Sequence, residues 1–263
     1  MEPALRVALV SLLFAATHVG FASLRVRRPL VARWGRWGFT WLFAAVASVC
    51  WALAVSTYAA VQHDGPPGLA LGRFEAARWL LVGASVLGVV LMTSAFAGYD
   101  RSPYAFAGED VGEPYGLGRV TRHPFFVGVV LLGGAHALLA TRLVGAVAMG
   151  GIALVAGVGA WHQDRKLLAL RGAPYAEYLA ATSAVPFAAI LAGRQRLAWS
   201  ELPVVLPLLG LALAWGLRAV HASLFARGGA YVIGAVVGGA LVILVGEWRR
   251  EQRAALATPH ATT

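Results

Sequence analysis

Residues 125–161 read FFVGVVLLGGAHALLATRLVGAVAMGGIALVAGVGAW, an apolar stretch whose polar side chains are His136 and the pair Thr141-Arg142. An α-helix crosses the hydrocarbon core of a bilayer in about 20 residues. The stretch is therefore too long for one crossing and long enough for two, and Thr141-Arg142 marks the turn. The sequence predicts a hairpin of two transmembrane helices, over about 125–140 and 143–161.

The composition of the whole chain agrees with this hairpin. Of its 263 residues, 59% are hydrophobic and 13% are charged, whereas soluble domains average about 45–50% and about 25%. Such a composition excludes a soluble globular protein and a disordered chain. We predict an all-α, polytopic integral membrane helical bundle of about seven transmembrane helices, with six as the alternative. The other five predicted spans are about 4–24, 39–61, 78–97, 202–225 and 230–246.

The basic residues predict the orientation of these spans. The chain carries 22 Arg and Lys against 12 Asp and Glu, a net charge of +10. Alternate connections hold 16 and 5 of these basic residues, and Arg218 lies inside the predicted sixth span. The division of 16 to 5 predicts an outside N-terminus and a cytoplasmic C-terminus. A nucleic-acid partner is not expected, because the arginines alternate between the two sides and form no single patch. The Arg-rich connections are 25–36, 98–124 and 162–201, together with the tail 247–263.

Three regions follow from this division. Residues 1–200 form a membrane domain with cytoplasmic loops at 98–124 and 162–201, residues 202–246 a C-terminal helical hairpin, and residues 247–263 a tail expected to be disordered. The single cysteine, Cys50, excludes an intrachain disulfide, a cysteine-based zinc site and covalent attachment of haem.

Ionisable side chains inside apolar spans are costly and usually functional. A neutral imidazole there either hydrogen-bonds across a helix pair or ligates a metal or haem iron. Counted from the predicted span ends, His136 lies close to the depth of His221 and about 9 Å from that of His18. Two nitrogens on opposite sides of one iron are about 4 Å apart. His136 and His18 are therefore both candidate ligands, and by depth alone His221 is the better partner for His136.

Arg218 and His221 are three residues apart, which places them on one face of the predicted sixth span. Every acidic residue of the chain lies in a loop or at a span end. Arg218 therefore either extends outward to the headgroups or pairs with a bound anion such as a haem propionate.

A second group of candidates lies at the predicted cytoplasmic end. His123, in Arg122-His123-Pro124, serves either cytoplasmic chemistry or anchoring at the headgroups, because it is about 20 Å along the helix from His136. Asp164 either caps a helix or faces a polar ligand. Tyr175, like other aromatic residues near span ends, is interpreted as an interfacial anchor.

Several segments together resemble the NnrU family. They are FAATHVGFASLRVRRPL at 14–30, GLGRVTRHPFFVG at 116–128, AHALL at 135–139 and HQDRKLLALRGAPYAEYLAATSAVPF at 162–187. The likeness runs from about residue 8 to 200. It implies a bacterial inner-membrane, multi-pass protein linked to denitrification and nitric oxide. Plant relatives are zeta-carotene isomerases, which use haem b for cis–trans isomerisation of a polyene; that likeness makes His18 and His136 the axial ligands.

A second likeness leads to another function. RHPFFVGVVLL with a following Gly-x-x-Tyr-x-x-Tyr segment also resembles isoprenylcysteine carboxyl methyltransferases, which bind S-adenosylmethionine at the cytoplasmic face. This alternative expects Arg122, His123, Asp164 and Tyr175 to converge. Where that family has a Glu-Glu pair, this chain has Gln163-Asp164, which weakens the likeness. A third alternative is a non-enzymatic membrane partner of a respiratory complex. The expected partners are the lipid bilayer and an apolar small molecule or gas.

Overall fold

The computed structural model describes residues 2–104 and 110–257, and in these residues it is helical without a β-strand. Five helices, α1, α2, α3, α6 and α10, are long and apolar enough to cross a membrane, and α5 and α9 are shorter apolar helices. The predicted all-α membrane bundle is confirmed. The helices are α1 Pro3–Ala22, α2 Leu24–Val61, α3 Glu75–Ser94, α4 Leu117–Val120, α5 Pro124–Leu139, α6 Leu143–Arg171, α7 Ala173–Ala181, α8 Ala188–Leu191, α9 Val205–Ala219 and α10 Ala230–Ala257.

The apolar helices pack as a series of neighbours. Helix α6 packs between α1 and α5. Beyond α5, helix α3 packs on α5 and α9 packs on α3. Beyond α1, helix α2 packs on α1 and α10 contacts α2. The N-terminal parts of α1 and α6 meet in a buried cluster of Ala4, Val7, Val61 and Val144. The hairpin predicted from residues 125–161 is therefore the centre of the series.

Glycines let the central helices approach closely. A Cβ added at Gly88 of α3 would lie 2.7 Å from the carbonyl oxygen of Gly128 in α5, and one added at Gly128 would lie 2.6 Å from the oxygen of Gly88. A Cβ added at Gly133 of α5 would lie 2.7 Å from the carbonyl oxygen of Met149 in α6. Small residues at such contacts allow the backbone packing that holds helices together in a bilayer.

The connections collect at two opposite ends of the bundle. At one end, the N–H of Leu143 donates to the oxygen of Pro66, and the N–H of Gly68 to that of Thr141. At the other end, Arg119 makes a bidentate ion pair with Glu201, with N···O distances of 2.8 and 2.9 Å. The second end carries the Arg-rich connections, so it is the end predicted to be cytoplasmic.

The helix boundaries differ from the predicted spans in several places. The Arg-rich connection at 25–36 is helical up to Gly35, whose φ of 71° breaks α2 just before its apolar part. Helix α6 continues ten residues past the predicted end at 161, and α10 continues past 246 into the predicted tail. Residues 258–263 of that tail and 105–109 of the loop at 98–124 lie outside the described residues.

The predicted sixth span is too long. Helix α9 ends at Ala219, and a 3₁₀ turn over His221–Ser223 follows. Arg227 and Gly228 then adopt positive φ values of 54° and 66°, so the chain turns before α10 begins. The placement of Arg218 and His221 on one face of one helix was therefore wrong, because the helix ends between them.

Candidate functional site

His136 sits in the last turn of α5 and faces α3. Its Nδ1 lies 2.8 Å from the carbonyl oxygen of Leu132 and 3.4 Å from the hydroxyl oxygen of Ser85. A carbonyl oxygen only accepts hydrogen bonds, so Nδ1 carries the proton. The lone pair is then on Nε2. Nε2 makes no hydrogen bond within residues 2–104 and 110–257. Donation of one N–H to a backbone carbonyl, which orients the ring and leaves the other nitrogen for a metal, is typical of histidine ligands.

His221 lies beside His136. The two ring centres are 6.0 Å apart and the ring planes differ by 23°. The two rings are therefore stacked and close enough to border one ligand site. We call His136 and His221 the outer histidine pair, since they lie at the end opposite the Arg-rich connections.

His18 lies elsewhere in the bundle. Its ring packs against Phe14 and Phe43, with ring centres 5.2 and 5.0 Å apart. Its Nδ1 is buried and has no hydrogen-bond partner among the described residues. His18 is therefore an imidazole in an aromatic environment, available to a ligand.

The helix contacts separate His18 from His136 in depth. Ser11 of α1 contacts Gly151 of α6, which puts His18 seven residues nearer the Arg-rich end than Gly151. The register of the α5–α6 hairpin puts His136 level with about Met149, on the other side of Gly151. At ~1.5 Å per residue the difference is about 13 Å. The geometry therefore favours His221 over His18 as the partner of His136.

Arg218 occupies the last turn of α9 and is exposed. Within the described residues it makes no ion pair with an acidic side chain. Both predicted roles, extension to the headgroups and pairing with a bound anion, agree with this position.

The candidates at the Arg-rich end meet at Asp164. Its Oδ1 lies 2.9 Å from Nε2 of His123 and 2.7 Å from the hydroxyl of Tyr175, and its Oδ2 lies 2.9 Å from Nε of Arg122. Tyr104 completes the group, donating to Oδ1 over 3.1 Å. We call these five residues the Asp164 network.

Three helices and a loop supply the Asp164 network. Asp164 lies in α6, His123 caps the start of α5, and Tyr175 comes from α7. Arg122 is held by a backbone bond from its N–H to the oxygen of Ser183. The network therefore ties the predicted cytoplasmic connections to the α5–α6 hairpin.

Burial keeps the side chains of Tyr175 and Tyr104 protonated. Tyr175 is 0% exposed, and His123, which binds the same carboxylate, is 3% exposed. Burial, with the Asp164 carboxylate close by, holds the pKa of Tyr175 well above its usual range. Burial has the same effect on the pKa of Tyr104, reinforced by Tyr175 and Asp164. Both hydroxyls therefore stay protonated, and protein groups occupy the acceptor sites of the carboxylate.

The four candidates named from the sequence at this end do come together in the structure. Tyr104 was missed, although it lies in the Tyr-rich loop at 98–124; only the three-dimensional path of that loop brings it to Asp164. The interpretation of Tyr175 as an interfacial anchor was wrong, because its side chain is fully buried against Leu167 and Tyr178. Among the residues described, no group of three or more His, Cys, Asp or Glu is placed to hold a metal ion.

Comparison with known proteins gives the family. The family model described as "NnrU protein" matches residues 6–246. The chain belongs to the NnrU family. The NnrU match extends beyond the predicted likeness at 8–200 and includes the outer histidine pair as well as the Asp164 network.

Two curated plant proteins are similar to this NnrU chain. The 15-cis-zeta-carotene isomerase of Zea mays is 31% identical over 199 residues, covering 72% of this chain and 51% of the maize protein. The corresponding protein of Arabidopsis thaliana is 31% identical over 205 residues, covering 74% and 52%. The chain thus spans about half the length of these relatives. No solved structure matches it.

Proposed function

We propose that this NnrU protein is a haem-b-dependent membrane isomerase that interconverts cis and trans double bonds of a polyene such as zeta-carotene. The observation that carries the proposal is that the Nδ1–H of His136 is donated to Leu132, while its Nε2 makes no hydrogen bond to a described residue. The similarity to 15-cis-zeta-carotene isomerases supplies the reaction class. We place the protein in the bacterial inner membrane, although these relatives are named as chloroplastic.

The residues present fit a haem at the outer histidine pair. His136 offers a lone pair in a fixed orientation, and the ring of His221 lies 6.0 Å away. A bound haem would supply an iron centre able to weaken a double bond of the polyene while it rotates. The chain's own part is to hold His136 through the Leu132 carbonyl and to keep water away with apolar helices. A cis–trans isomerisation leaves the composition of the polyene unchanged, so the overall reaction consumes and releases no proton.

Absorption spectroscopy tests the haem. The purified protein, produced with added haem, should show a Soret band that shifts on reduction. His136→Ala should abolish the band, and His221→Ala should change the band to that of an iron with one histidine ligand. His18→Ala and the exposed loop variant His63→Ala should leave it unchanged. Absence of a Soret band in the wild type would refute haem binding, and loss of the band in His18→Ala would refute the outer pair.

A second assay tests the reaction. Haem-loaded protein in liposomes containing 15-cis-zeta-carotene should convert the 15-cis isomer, as followed by chromatography. His136→Ala protein should not. Conversion by wild type and His136→Ala at equal rates would exclude an isomerase centred on this histidine. Haem binding without any conversion would favour the nitric-oxide-linked or non-enzymatic alternatives instead.

The Asp164 network has the convergence that the methyltransferase alternative expects, but its internal bonds argue against binding of the cofactor. That reading expects a carboxylate at this position to hold S-adenosylmethionine, but Asp164 already accepts from Arg122, His123 and two tyrosines. A ligand would have to displace these partners. Calorimetric titration with S-adenosylhomocysteine should therefore show no binding.

A further inference from the structure

A small cleft lies beside the Asp164 network, at the Arg-rich end of the bundle. The loop that follows α3, the segment around α4 and the start of α5 line this cleft, and so does Tyr178 of α7. Its volume is about 40 Å³, which is room for about three water-sized groups. The cleft is therefore large enough for a small polar group and too small for a whole nucleotide cofactor.

Arg122 lines the cleft with a guanidinium group that is only partly engaged. Its Nε donates to Oδ2 of Asp164 over 2.9 Å, and 16% of the side chain is exposed. Its two terminal nitrogens make no hydrogen bond with any residue in 2–104 or 110–257. Guanidinium nitrogens only donate, and their fork matches the oxygens of a carboxylate or a phosphate. Arg122 can therefore donate to a second oxyanion in addition to Asp164.

Tyr178 adds another donor at the same cleft. It is 6% exposed, and its ring stacks on that of Tyr175 with ring centres 5.9 Å apart. A Cβ added at Gly118, which also lines the cleft, would lie 3.5 Å from the hydroxyl oxygen of Tyr178. Across the described part of the chain, this hydroxyl makes no hydrogen bond. A buried hydroxyl without a partner is costly, so its position at the cleft indicates a ligand.

The charge around the cleft favours an anion. Arg101, which also lines it, is exposed and packs on Tyr115, with 4.5 Å between the guanidinium carbon and the ring centre. The positive end of the α5 dipole lies at the cleft as well, because Pro124 begins α5 and is a lining residue. The exposed carboxylate of Glu113 opposes these groups. Two guanidinium groups and the start of a helix outweigh this carboxylate.

We propose that this cleft binds a phosphate group, held by the terminal nitrogens of Arg122 and the hydroxyl of Tyr178, with Arg101 at its exposed side. A phosphate group offers three acceptor oxygens, one for each of these side chains, whereas a carboxylate offers two. The rest of the ligand stays outside the cleft, so a phospholipid headgroup and a soluble phosphate ester would present the same group. The cleft is about 20 Å from His136 along α5, so the site requires neither haem nor isomerase activity.

Isothermal titration calorimetry with inorganic phosphate tests the site on the intact chain in detergent. The wild type should bind phosphate. Tyr178→Phe should bind it at least about tenfold more weakly, or about 1.4 kcal/mol, because a hydrogen bond to a charged group contributes this much or more. Arg101→Gln should bind about threefold to fivefold more weakly, as expected for an exposed charge. Glu113→Gln should bind more tightly, because it removes the opposing charge.

Two matched controls lie at the opposite end of the bundle. Tyr231→Phe removes the hydroxyl of an exposed tyrosine in α10. Arg73→Gln removes an exposed arginine that packs on Phe74, with 4.7 Å between the guanidinium carbon and the ring centre. Both controls should bind phosphate as the wild type does. No binding by the wild type, or equal losses in Tyr178→Phe and Tyr231→Phe, would overturn the proposal.

Two further measurements test a structural role of Tyr178 and identify the source of the phosphate. In phosphate-free detergent Tyr178→Phe should unfold at the same temperature as the wild type, because its hydroxyl has no partner among the described residues. A lower unfolding temperature would show a structural role and refute the site. Native mass spectrometry then counts phosphatidylglycerol bound to the wild type and to Tyr178→Phe. Less lipid on the variant assigns the site to a headgroup, and equal counts assign it to a soluble phosphate compound; both results support a phosphate site.

Discussion

Replacing Asp164 by alanine should destabilise the protein strongly. The substitution leaves Arg122, His123, Tyr175 and Tyr104 without the acceptor that they share. His123 and Tyr175 are buried, so water cannot take the place of the carboxylate without opening the predicted cytoplasmic loops. The loss therefore affects the connection between the loops and the α5–α6 hairpin.

The magnitude follows from the burial of the network. Removing one partner of a buried ion pair costs about 3–5 kcal/mol. For a protein of this size, 1 kcal/mol changes the unfolding temperature by about 2–4 °C, so Asp164→Ala should lower it by roughly 6–20 °C. Asp164→Asn keeps one carbonyl acceptor and should cost less. Tyr175→Phe removes one hydrogen bond to a charged group, a loss of about 1.5–3 kcal/mol.

Thermal unfolding in detergent, followed by intrinsic fluorescence, measures these differences. The control is Glu177→Ala, an exposed carboxylate two residues from Tyr175 in the same helix. Surface substitutions of this kind usually change stability by less than about 0.5 kcal/mol. If Asp164→Ala and Glu177→Ala unfold at the same temperature, the Asp164 network does not stabilise the protein and the reasoning fails.

Two further predictions concern packing and pH. Gly128→Ala should lower the unfolding temperature, because the added Cβ would press on the carbonyl oxygen of Gly88. The control Gly134→Ala adds a Cβ that meets no atom within 4 Å, so it should have no such effect. Equal effects of the two substitutions would contradict the close packing of α3 on α5. The hydrogen bond from Arg119, together with one from the N–H of Gly116, lowers the pKa of Glu201. The stabilisation that Glu201 gives is therefore present above the ordinary carboxylate pKa of about 4.3 and is lost as the pH falls through the lowered pKa. The difference in unfolding temperature between wild type and Glu201→Gln should close at low pH; a constant difference would contradict it.

Hydropathy and charge were enough to predict the bundle because both act locally along the chain. The hairpin at 125–161 formed as expected, and its turn falls at the predicted Thr141-Arg142. The end of α9 was not predictable from hydropathy, because apolar residues continue past Ala219 while the backbone turns. The break in α2 depends on one glycine, Gly35, inside a stretch that is otherwise helical.

The sequence was enough to name most candidate site residues, but it did not predict which of them lie together. The rarity of ionisable residues in apolar spans was enough to single out His18, His136 and His221. Which of them lie together depends on helix register, and register comes from contacts such as that of Ser11 with Gly151. Tyr104 illustrates the same limit, since it is sixty residues from Asp164 in the chain and reaches it only through the fold of a loop.

The two histidines at the ends of α5 have different surroundings, and these indicate a structural role for His123 and a proposed ligand role for His136. His123 and His136 stand at opposite ends of one unbroken helix. At His123, Nε2 binds Asp164, and the ring is enclosed by Tyr104 and Phe126. At His136, Nδ1 binds a backbone carbonyl, Nε2 has no hydrogen-bond partner in the part of the chain that the structure describes, and the ring lies beside that of His221. The Asp164 network holds the α5–α6 hairpin at one end, and this hairpin carries His136 at the other. One continuous helix thus joins the Asp164 network to the proposed haem ligand His136, about 20 Å away.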